Sequence, residues 1–133
     1  MKCASSKLPR HPAFWFAAYA VWFAVLWHLS SGPVTVPFGD EISFADKICH
    51  FGYYFGGAGL FSAFLFRLRP GNVDWGTMLS LCLIAGMIVG RTDELHQMWV
   101  PNRSGNDIDD FLADMSGTLC GALVFRRLHR MLL

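Results

Sequence analysis

Three short runs in this 133-residue chain set ionisable side chains at helical spacing. Asp46, Lys47, His50, Tyr54 and Gly57 recur at intervals of three and four. Arg91, Glu94 and Gln97 or Met98 do the same, which puts Glu94 and Gln97 on one face and points His96 elsewhere. Asp107, Asp110 and Asp114 form a third stripe that runs on into Gly117 and Gly121. These residue types have definite chemistry. Paired acids with a histidine supply a general acid and base, lysine or arginine holds an anionic group, and clustered carboxylates hold a hard cation.

The elements that must carry these charges are apolar. Hydrophobic residues make up 53% of the chain and aromatic residues 15%, too much for an ordinary soluble domain of this length. At about 20 residues per span, four spans fit, over residues 13–29, 48–66, 76–98 and 108–125. Pro12 opens the first, and Pro70 with Gly71 closes the second. The third is cleanly apolar from Met78 to Val89 and then turns polar until Pro101. The fourth starts among Asp107 to Asp110, where carboxylates favour a helix N-terminus, and ends before the basic "RRLHR". The expected fold is a single all-α domain, a polytopic four-transmembrane-helix bundle.

Charge fixes its expected orientation. The N-terminus, the loop at residues 67–75 and the C-terminal tail hold eight of the eleven basic residues, whereas the opposite side holds nine of the ten acidic ones. The positive-inside rule places both termini in the cytoplasm. Lys2, Lys7 and Arg10 precede the first span as in a signal peptide, but no A-x-A-like site follows the long, tryptophan-rich run, so a retained helix is expected. Cys3, Cys49, Cys82 and Cys120 show no C-x-x-C spacing, which argues against a disulfide framework or zinc knuckle. A net charge of +1 gives no case for nucleic acid. The tail flanks a span directly and is suited to anionic lipid headgroups.

Ionisable groups at membrane depth cost several kcal/mol unless they face the bundle interior or water. The three stripes are therefore expected to converge on an outward-facing pocket lined by Asp46, Lys47, His50, Glu94, Gln97, Arg103, Asp110 and Asp114. Its roof would be "VPNRSGN", in which Pro101, Asn102, Gly105 and Asn106 are turn formers.

The stretches "DKICHFGYY" and "DELHQMWVPNRSGNDIDDFLADMSGTLCG", together with the four-span layout, resemble the VanZ-like family of small bacterial membrane proteins. That family is named for an accessory protein of glycopeptide resistance. Its pattern falls on Asp46, Lys47, His50 and Phe51, on Glu94 and Gln97, on Pro101, Arg103 and Ser104, and on Asp110, Asp114, Gly117 and Gly121. Asn102 stands where the family often has glycine, and Asp114 where it often has asparagine. The resemblance implies a multi-pass protein of the bacterial cytoplasmic membrane, associated with the cell envelope, and its namesake raises resistance to teicoplanin. It adds Ser104 to the expected ligand-binding residues.

Several functional classes remain open. As an enzyme acting on a surface or lipid-linked component, the chain would use Glu94 or Asp110 as general base, Lys47 or Arg103 for an anionic group, and His50 for proton transfer. As a structural network, the same residues would fasten the helices of a small partner of another membrane complex. Transport would need an oligomer to make a path. "ELHQ" is not H-E-x-x-H, and Glu94 and His96 cannot share a face, so no cofactor is expected. A ligand set of His50, Glu94, His96 and an aspartate, or a divalent cation on Glu94, Asp110 and Asp114, are the metal alternatives. Arg103 is expected to neutralise Asp107, Asp109 or Asp110. His28 and His129 are read as interfacial and tail histidines without a role.

Overall fold

The structure is a computed structural model and describes residues 8–32, 42–103 and 105–133. Lys2, Cys3, Lys7 and Ser104 lie outside the described residues. The described chain forms four α-helices: α1 (Pro12–Ser30), α2 (Ile42–Leu68), α3 (Trp75–Gln97) and α4 (Ile108–Leu128), then a 3-10 turn at His129–Leu132. Of these, α1 and α3 are long and apolar enough to cross a membrane by length and composition.

Local chemistry sets the helix ends. Pro12 opens α1, and the His11 ring accepts the Ala13 N–H. Asp74 caps α3, accepting from Gly76 N at 3.0 Å and Thr77 Oγ1 at 2.6 Å. Those bonds, the Thr77 hydroxyl foremost, hold its carboxyl below the usual aspartate range. Asp107 caps α4 through Asp109 N at 2.8 Å. Asp109 and Asp110 in the first turn and Arg126 and Arg127 in the last complement the helix dipole. α2 starts at Ile42, ahead of the span expected from 48, and carries Asp46 and Lys47 on the stripe that their spacing implies. α4 runs three residues beyond the expected 125.

α2 is the hub of the bundle, packed against α4, α1 and α3. Its contact with α4 is backbone-close. A Cβ on Gly117 would collide with the Phe51 carbonyl, and one on Gly121 with that of Phe55. On α1, the Trp22 ring covers Gly56 and Gly57 and its indole N–H donates to Tyr53 O at 3.0 Å. α3 approaches α4 where Gly86 faces Thr118 and Gly90 faces Asp114. At the far end Ala63, Phe66 and Leu132 are buried against Trp15, Val73, Trp75 and Phe125. The half-buried His129 ring packs against Phe66 and Trp75 at the edge of this cluster.

The burial pattern is inverted relative to a soluble bundle. Phe14, Phe16, Val21, Ile84, Ile88, Leu112 and Leu123 are exposed, whereas His50, Asp93, Glu94, Gln97, Asp110, Asp114 and Thr118 are buried.

Candidate functional site

Every charged stripe turns inward at one end of the bundle. From α4, Asp114 is fully buried, and its Oδ1 lies 2.9 Å from His50 Nδ1 on α2. On the other side of the same ring, His50 Nε2 stands 4.0 Å from Asp46 Oδ1. One turn outward, Lys47 Nζ donates to Asp110 Oδ1 at 3.0 Å and lies 3.7 Å from Asp107 Oδ2. The spacing of three and four along α2 and α4 makes these pairs stack in register, so each α2 residue meets its own aspartate.

α3 brings three polar side chains to the same place. Gln97 Nε2 donates to Asp93 Oδ2 at 2.8 Å, one helical turn apart. Glu94 is fully buried, and its Oε2 accepts the Asp107 N–H at 2.7 Å, fastening the start of α4 to the end of α3. Asp93 was absent from the expected set. It is 2% exposed, and its position four residues before Gln97 was the available signal.

The connecting turn is built on left-handed residues. Asn102 and Asn106 both have φ of 64°, the region that glycine and, next to it, asparagine adopt at low cost. Asparagine in a family glycine position is thereby explained. A Cβ on Gly105 would strike the Met98 N–H group and the Glu94 carbonyl, so the turn lies directly on the end of α3. Arg91 reaches over it to Asn106 Oδ1.

Arg103 corrects an expectation. It pairs with none of Asp107, Asp109 and Asp110, and instead donates from Nε to Gly32 O at 3.0 Å and from Nη2 to Leu29 O at 3.3 Å. The orphan carbonyls at the end of α1 outcompete the aspartates because the turn carries Arg103 across to α1. His96 likewise joins α1, stacked on Trp27 at 3.8 Å and within bonding distance of Ser30 Oγ.

Between α1, α2, α3 and Arg103 lies a cleft of about 110 Å³. Asp46, Cys49, His50, Tyr53, Asp93, Gln97 and Arg103 line it, with Leu26, Leu29 and Ser30. Among the expected residues, Asp46, His50, Gln97 and Arg103 meet at this cleft. Lys47, Glu94, Asp110 and Asp114 stand behind or beside it, and Ser104 lies outside the described residues. Buried oxygens without a partner remain on Asp93 (Oδ1), Glu94 (Oε1), Asp114 (Oδ2) and Tyr54 (OH).

Among the described residues, neither ligand set weighed from the sequence has its ligand atoms gathered within 4.8 Å of one another. Among the described residues, Asp46, His50 and Asp110 are the group whose ligand atoms lie within 4.8 Å of one another. The Lys47 ammonium already occupies Asp110 Oδ1 there, in the manner of a counter-ion.

Chemically, the cleft holds an imidazole fixed by a buried carboxylate, with its second nitrogen 4.0 Å from a second carboxylate. The Arg103 guanidinium also lines the cleft. No curated protein and no solved structure matches the chain significantly. The family model described as VanZ/LLP1 matches residues 7–130, nearly the whole length. The motifs that build the cleft and the match along the chain agree: this protein belongs to the VanZ/LLP1 family.

Proposed function

We propose that the protein is a four-span membrane protein of the bacterial envelope, with cytoplasmic termini and its polar cleft open to the extracytoplasmic side. The inverted burial supports the membrane reading, because lipid solvates the exposed Phe, Leu and Ile while the charged groups face one another. The excess of arginine at the opposite end supports the orientation.

The cleft binds and modifies a surface or lipid-linked component, and expression of the protein lowers sensitivity to teicoplanin. The observation that carries this reading is the Asp114–His50 pair at the cleft wall. Asp114 fixes the ring and holds a proton on Nδ1, so that Nε2 takes one from a substrate hydroxyl, ammonium or water, with Asp46 beside it. Of the sequence candidates, His50 is the one on the cleft, whereas Glu94 clamps the turn and Asp110 is paired to Lys47.

A second reading has its own support. Lys47–Asp110, Glu94–Asp107 and Arg103 with the α1 carbonyls tie the helices together, which is what a non-enzymatic partner of another membrane complex would need. The two separate on one experiment. Expression in a glycopeptide-susceptible bacterium should raise the teicoplanin concentration needed to inhibit growth, and His50→Gln should abolish the rise at unchanged membrane abundance. A rise that survives His50→Gln refutes the catalytic reading, and loss through lowered abundance favours the structural one.

A further inference from the structure

A second hollow adjoins the cleft. Leu26 of α1 and Asp93 of α3 line the cleft and also line this hollow of about 200 Å³, whose other walls are Phe23, Trp27, Ile88, Val89 and Thr92. This second hollow is apolar apart from Asp93 and the Thr92 hydroxyl, which donates to Ile88 O at 2.7 Å. Its rim residues Trp27 and Ile88 are exposed on the outer surface of the bundle, so it opens sideways between α1 and α3.

Asp93 stands at the junction. Its Oδ2 accepts from Gln97, but its Oδ1 has no hydrogen-bond partner although the residue is 2% exposed. A buried acceptor left unmade costs free energy comparable to a lost hydrogen bond, so the junction calls for a donor. On the polar side, the two bonds from Arg103 to α1 use Nε and Nη2 and do not engage Nη1. Asp46, Asp93 and Arg103 thus line one cleft, and Asp93 with Leu26 also lines the apolar groove beside it.

We propose that the two hollows are one site for a lipid with a zwitterionic headgroup carrying a primary amine, an aminophospholipid. The ammonium donates to Asp93 Oδ1, the phosphate meets Arg103, and one acyl chain lies along Phe23, Trp27, Ile88 and Val89. A purely anionic headgroup would meet Asp46 and Asp93 with the wrong sign, and a quaternary ammonium has no N–H to donate. This deepens the reading above and rests on the cleft being a binding site, with entry from the bilayer.

The test is lipid retention by the purified full-length protein in detergent, measured by native mass spectrometry against phosphatidylethanolamine, phosphatidylglycerol and phosphatidylcholine with the same chains. Phosphatidylethanolamine should be retained about tenfold more strongly than either, the scale of one hydrogen bond to a charged group. Asp93→Asn keeps an acceptor for Gln97 but turns an amide N–H toward the ammonium, and should erase the preference. Val89→Trp, which alters only the groove, should lower retention of every lipid. Equal retention of the three lipids, preference for phosphatidylglycerol, or wild-type selectivity in Asp93→Asn overturns the proposal. Where Asp93→Asn fails to fold, undiminished retention by Val89→Trp does so. Lipid preference is read on the purified protein and teicoplanin sensitivity in cells, so loss of the proton-transfer reading and loss of the lipid site are told apart.

Discussion

Replacing Gly117 by alanine tests how the site is held. The added methyl would meet the carbonyl oxygen, carbonyl carbon and Cα of Phe51, and these are mid-helix backbone atoms that cannot rotate aside. α2 and α4 must then move apart. Overpacking of this kind costs about 1–3 kcal/mol. The movement also pulls on His50 and Asp114, which bridge the same helices at 2.9 Å. A hydrogen bond to a charged group is worth about 1.5–3 kcal/mol, so a total loss of about 2.5–6 kcal/mol is expected. The control is Gly59→Ala on α2, where nothing lies within 4 Å of the new methyl. That substitution should stabilise by about 0.5–1 kcal/mol through helix propensity alone. Unfolding of both variants in mixed micelles with added dodecyl sulfate, followed by circular dichroism, gives the comparison. If Gly117→Ala is as stable as Gly59→Ala, the helices are not in backbone contact and the derived register of the site is wrong.

Three other outcomes follow from the same geometry. Asn102→Gly should leave stability within a few tenths of a kcal/mol, whereas Asn102→Val should cost about 1–2 kcal/mol for forcing a β-branched residue to φ of 64°, both read in the same unfolding assay. Lys47→Met should cost about 1–3 kcal/mol by leaving the Asp110 carboxylate buried without its ammonium, and adding Asp110→Leu should recover part of the loss. The α3 cap should weaken with acid. The Asp74 carboxyl is held below its usual range, so its contribution is present above the unfolded aspartate value, near 3.9, and is lost as pH falls through the lower folded value. Asp74→Asn should remove that part of the pH dependence of unfolding.

The sequence carried most of the helical frame because its signals are local. Pro12, Asp74 and Asp107 mark helix starts, and the spacing of Asp46, His50 and Tyr54 or of Asp110, Asp114 and Gly117 marks inward faces. α2 extends ahead of the apolar run from 48 because Asp46 and Lys47 continue the helical stripe that His50 and Tyr54 carry, and Lys47 finds its partner on α4. Arg103 and His96 were not readable in this way. Both are satisfied by α1, which is distant in sequence and offers carbonyls, hydroxyls and an indole face rather than a complementary charge. Asp93 was overshadowed by the neighbouring Glu94, although its bond to Gln97 is a one-turn contact.

The central claim is that a polar cleft opens outward instead of being sealed within the bundle. Cys49 is exposed and lines that cleft, one residue before His50. In a Cys3→Ser, Cys82→Ser, Cys120→Ser background, a membrane-impermeant maleimide applied to spheroplasts should label Cys49 without permeabilisation. Labelling confined to inside-out vesicles would reverse the orientation, and none in either preparation would show a closed network with no cleft to work in.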